Sequence, residues 1–66
     1  MTGYKFTLNG KEINTKDIDF INIIYIGEHD MDVSIHFADR TVYRTITDDE
    51  KLFLKLDEYA DISSEK

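Results

Sequence analysis

Apolar and polar residues alternate from the start of the chain: Tyr4, Phe6 and Leu8 are interleaved with Lys5, Thr7 and Asn9. Period-two alternation marks a strand with one face on a core and the other in water. Asn9-Gly10 follows, and both residues tolerate the positive φ of a type I′ turn, so a tight hairpin is predicted with the returning strand beginning near Lys11. The returning strand either runs on into the apolar run "IDFINIIYI" or is separated from it by a short helical turn over "NTKD", which Asn14 or Thr15 could cap. This run is β-branched and aromatic, too short and too evenly apolar for an amphipathic helix, and reads as a central strand ending at Gly27 in the polar turn "GEHDMD".

Met31, Val33, Ile35 and Phe37 then alternate with Asp32, Ser34, His36 and Ala38, giving the next strand one core face. After the turn "ADRT", a further strand covers "TVYRTI". Loop length decides whether Val42 and Ile46 or Tyr43 joins the core there.

From residue 47 the period changes. Thr47 and Glu50 have capping-box spacing, with Asp48 and Asp49 in the first turn where carboxylates complement the helix dipole. Leu52, Phe53, Leu56, Tyr59 and Ala60 fall on one broad stripe of a helix predicted over residues 47–62. The resulting expectation is an α+β fold, ββββα: a four-stranded antiparallel sheet of two hairpins with a C-terminal helix on one face. One domain would span 1–62, with 63–66 as a polar tail.

Two surfaces are left over. Leu54 falls roughly opposite Leu52, among Glu50, Asp57 and Asp61. A carboxylate stripe around one large aliphatic residue offers a cationic partner steering plus an anchor, although a single exposed leucine is also ordinary on a solvated helix. In the central strand, Phe20, Ile24 and Ile26 have one parity while Ile21, Ile23 and Tyr25 have the other, and one helix covers one face. The set Ile21, Ile23 and Tyr25 is the candidate second interface, closed either by the N-terminal hairpin or by a two-fold dimer.

Charge changes this picture. Lys5, Lys11 and Lys16 are balanced by Glu12, Asp17 and Asp19, so the whole net charge of −6 lies beyond residue 26. That balance argues against direct binding to nucleic acid or anionic lipid and favours a basic protein partner, while also serving solubility. With no cysteine and no long apolar run, a soluble cytoplasmic protein whose stability comes from packing is expected.

Candidate chemistry is sparse. Glu28, His29, Asp30 and Asp32 lie close together but lack the spacing of a calcium loop or a tetrahedral zinc site, and a polar turn is the expected role. Ser34 and His36 share a strand face with Asp32, a polar row without the enclosure and oxyanion donors of acyl transfer. Nor does a glycine-rich phosphate loop occur. The expectation is a protein without enzymatic activity, metal or cofactor.

In size, charge and one acidic helix on a small sheet, the chain resembles the small acidic inhibitors of phages and mobile elements, some of which mimic DNA. The resemblance covers "GEHDMD" and residues 47–61. It implies that spaced carboxylates occupy the Lys/Arg groove of a nucleic-acid-binding protein. On this chain the candidates are Asp48, Asp49, Glu50, Asp57, Glu58 and Asp61, with Leu54 as anchor. The alternative is a structural or regulatory interaction domain acting through its apolar sheet face as a homodimer.

Overall fold

The computed structural model describes residues 3–65. Strand β1 (Lys5–Leu8) and strand β2 (Lys11–Asn14) form an antiparallel hairpin that buries Phe6, Leu8 and Ile13. Asn9 and Gly10 turn it with φ of 48° and 84°, the left-handed pair that a type I′ turn requires. The Asn14 side chain accepts a hydrogen bond from the Lys16 N–H and caps a 3-10 helical turn over Thr15–Asp17, the second of the two courses open to that segment. Thr15, buried, ties this turn to the start of β1: its hydroxyl accepts from the Tyr4 N–H at 2.8 Å and its own N–H donates to the Tyr4 carbonyl at 3.0 Å.

Strand β3 (Ile18–Tyr25) pairs antiparallel with β4 (Met31–Phe37), and β4 with β5 (Val42–Thr47). Helix α1 spans Glu50–Leu56, and β6 (Asp61–Glu65) then returns to pair parallel with the other side of β3. The fold is therefore α+β, with one helix among the described residues. Its strands form a mixed four-stranded sheet ordered β5-β4-β3-β6 and a separate two-stranded hairpin.

This departs from the expected ββββα in three ways. The hairpin is a sheet of its own, because the 3-10 turn breaks the chain between β2 and β3. The helix is internal and shorter than residues 47–62. Beyond Leu56, the N–H groups of Tyr59 and Ala60 both bond to the Leu56 carbonyl, closing the helix in a turn. Asp61, Ser63 and Ser64 are poor helix formers and Ile62 is β-branched, while the edge of β3 offers that segment a backbone ladder. The expected polar tail is thus part of a strand through residue 65, and Lys66 lies outside the described residues.

The helix also starts later than Thr47. That residue ends β5 opposite Met31, and its hydroxyl accepts the Asp49 N–H at 3.2 Å. Asp49 is the N-cap, accepting the Leu52 N–H at 3.3 Å. The Thr47–Glu50 capping box does not form, because sheet pairing holds Thr47 in the strand.

One face of the four-stranded sheet carries the core: Ile21 and Ile23 of β3 and Met31, Val33 and Ile35 of β4. Phe53 and Leu56 of α1 cover it together with Phe6, Leu8 and Ile13 of the hairpin. Hairpin and helix share this face. The Tyr43 hydroxyl donates to the Leu8 carbonyl at 3.3 Å, and the Asn9 amide donates to the Ile46 carbonyl at 3.1 Å and to the Thr45 hydroxyl. At the other end of the hairpin the Tyr4 and Tyr59 rings stack at 5.4 Å, with the Lys55 ammonium 4.5 Å from the Tyr4 centroid. The opposite sheet face is left uncovered by any described element.

Candidate functional site

Leu54 is 75% exposed, the expected outward position. It lines a cavity of about 230 Å³ between α1 and the core face of β3, β4 and β6, the α1–β6 groove. Phe53, Tyr25 and Ile62 supply apolar wall, while Glu50 and Asp57, one turn to either side of Leu54, supply carboxylates. A hydrophobic anchor between two acids therefore borders a recess large enough for a few side-chain groups.

The remaining acidic candidates divide. Asp48 and Asp49 are exposed at the start of α1 beside Glu50, whose carboxylate is 4.0 Å from Nδ1 of His29 in the β3–β4 turn. Glu58 is exposed in the turn after the helix. Asp61 is separated from Leu54: it begins β6 in register with Phe20, and neighbours in register project to the same sheet face, here the uncovered one. The helix ends before it, so it does not extend the acidic stripe.

The set expected as a second interface lies on the face that hairpin and helix both cover, so the hairpin closes it and it is not open to a dimer. Ile21 and Ile23 are 0% and 3% exposed in the core, and Tyr25 is half-buried beside the α1–β6 cavity. Pairing fixes this assignment. Ile21 lies opposite Ile35, and Ile23 opposite Val33, so the β4 residues already marked as core draw their β3 partners onto the same face. That cross-strand constraint was the signal available in the sequence. The outward set is Phe20, Ile24 and Ile26, joined from β5 by Val42 and Ile46, all exposed.

Polar chemistry is interleaved on this outer face. Arg44 of β5 binds Asp32 of β4 through two hydrogen bonds, and the Ser63 hydroxyl donates to Asn22 Oδ1 at 3.2 Å. The guanidinium holds the Asp32 carboxyl below its ordinary pKa, chiefly by hydrogen bonding and also by its charge, and Asp32 raises that of Arg44 in return. His36 stacks on Phe20 with ring centroids 4.1 Å apart, and no hydrogen bond joins it to Ser34. The Ser34, His36 and Asp32 row is thus divided between a stacking pair and an ion pair.

A recess of about 390 Å³ lies between β2, the 3-10 turn and the β4–β5 turn, with Lys11, Lys16, Asp17 and Asp39 at its rim. No local pattern along the chain signals it, since it forms from separate turns. Asp39 is held below its ordinary pKa by hydrogen bonds from the Thr41 hydroxyl and N–H. Among the described residues, no three histidine or acidic side chains come together to hold a metal ion, and no helix is long and apolar enough to cross a membrane. Comparison with protein-family models, curated proteins and solved structures finds no match to this chain.

Proposed function

We propose that the protein is a small acidic protein-binding module whose site is the α1–β6 groove, and that it acts as an inhibitor by occupying the basic groove of a nucleic-acid-binding protein in the cytoplasm. The carrying observation is Leu54, 75% exposed between Glu50 and Asp57 and lining a cavity with apolar walls. Carboxylates speed the encounter with a Lys/Arg surface, and the leucine, desolvated on docking, supplies short-range affinity. Asp48, Asp49 and Glu58 extend the negative field along the helix and its ends; Asp61 contributes from the strand side.

Immobilised wild-type protein and a Glu50→Lys/Asp57→Lys variant, exposed to the same extract of the source cell, test the reading. A protein retained by the wild type alone, released by salt and blocked from binding DNA by the wild type supports it. Equal retention by both forms refutes it.

A second reading rests on the outer sheet face, where Phe20 and Val42 are exposed toward one end and Ile24, Ile26 and Ile46 toward the other. In that reading the module acts as a homodimer with two sheets face to face. Salt separates the two, because screening weakens binding by the acidic groove and leaves apolar pairing largely intact.

A further inference from the structure

We propose that the occupant of the α1–β6 groove is an extended basic segment of a partner protein, bound as an added β-strand along the free edge of β6. This rests on the reading of the groove as a site for a basic partner and specifies how that partner is held.

The two edges of the four-stranded sheet are finished differently. At the β5 edge, Asn9 of the hairpin turn bonds to the Ile46 carbonyl and the Thr45 hydroxyl. At the other end β6 pairs with β3 on one side, and among the described residues no strand pairs with its outer side. Alternate residues of such a strand direct N–H and C=O groups outward, where they can accept another chain. Asp61–Glu65 contains no proline, and its charged residues are both acidic, which opposes an acidic strand at this edge and favours a basic one.

The groove determines what side chains fit. Ile62 and Ser64 line it from β6 and Leu54 from α1, and every second side chain of a strand beside β6 projects to the same face as Ile62 and Ser64, the face that α1 covers. Apolar residues suit those positions. Glu50 and Asp57 flank the same side, and Asp61 lies on the other face of β6, so both faces of the added strand run beside carboxylates. Lysine or arginine between the apolar residues faces Asp61, while the field of Glu50 and Asp57 acts on the net positive charge of the strand. A second copy paired through β6 would instead set two surfaces against each other that both carry Asp61 and the acids of α1, and repulsion between like charges opposes that pairing.

The test is an NMR titration of the isotope-labelled full chain with a blocked peptide of about seven residues alternating lysine and valine. A fully N-methylated copy keeps the side chains and charges but cannot donate to β6, and a third peptide replaces lysine with glutamate. The proposal expects shifts at the Asp61–Ser64 amides and the Leu54 methyls, slowed exchange along β6, and binding weakened at least about tenfold by N-methylation. Equal binding of the N-methylated peptide overturns strand addition and leaves the basic-partner reading standing. Equal binding of the glutamate peptide refutes the basic-partner reading, and with it the basic occupant proposed here. No perturbation by any of the peptides at about 1 mM overturns both.

Discussion

Arg44 grips Asp32 diagonally across β4 and β5, Nε to Oδ1 at 3.0 Å and Nη2 to Oδ2 at 2.6 Å, with the Asp32 side chain only 14% exposed. Because the folded state holds this carboxyl below its ordinary pKa, the unfolded chain binds its proton more readily. The stabilisation is therefore complete above the ordinary carboxylate pKa and disappears as pH falls through the lowered folded value. Asp39, depressed by Thr41, adds to the same acid limb. Denaturant melts from neutral to acid pH should show stability falling with acidification, and Asp32→Asn should flatten the slope. An unchanged slope in the variant would assign the limb to other carboxylates.

The hairpin turn gives a backbone prediction. Gly10 sits at φ 84° with no atom within 4 Å of the point a Cβ would occupy, so replacement by alanine meets no neighbour and acts through conformation alone. Gly10→Ala should cost about 1–2 kcal/mol, the penalty of a left-handed non-glycine residue, without changing the folded spectrum. A neutral result by chemical denaturation would show that the turn relaxes to another type.

Much of this fold was legible locally, and the exceptions share a cause. The Asn9-Gly10 turn, the Asn14 cap and the core parity of Met31, Val33 and Ile35 follow from neighbouring residues, and the structure has each of them. The parity of β3 was ambiguous because both of its faces are apolar; pairing of Ile21 with Ile35 resolved it. The last strand was hidden for a related reason. "DISSE" has little burial pattern of its own and becomes a strand because β3 offers a free edge. The exposure of Leu54 was readable from helical phase, whereas the cavity beside it depends on β6 and could not be inferred without that strand.

Self-association through the outer face can be read by sedimentation. If the second reading holds, mass should rise with concentration into the high micromolar range, and Ile24→Lys should abolish the rise, since the residue is 39% exposed on that face in an inner strand of the sheet. The core should tolerate this change, because Ile24 points away from it. A monomeric mass throughout would leave the outer face as solvated surface.

The groove makes the most discriminating prediction, because neighbouring residues of α1 should respond in opposite ways. Phe53 is buried against the sheet, so Phe53→Ala should destabilise the fold by about 3–5 kcal/mol. Leu54 is exposed, and Leu54→Ala should alter folding stability by less than about 0.5 kcal/mol, since both residues favour helix and little burial is lost. In the complex the order changes: loss of a desolvated anchor should weaken binding by about 2 kcal/mol or more, mainly through faster dissociation. Reversal of Glu50 and Asp57 to lysine should instead slow association and flatten its salt dependence, because long-range attraction acts on the encounter. Stability melts and binding kinetics on the same variants check both halves. A Leu54→Ala protein that unfolds would place the leucine in the core, and one that binds with unchanged dissociation would remove it from the interface.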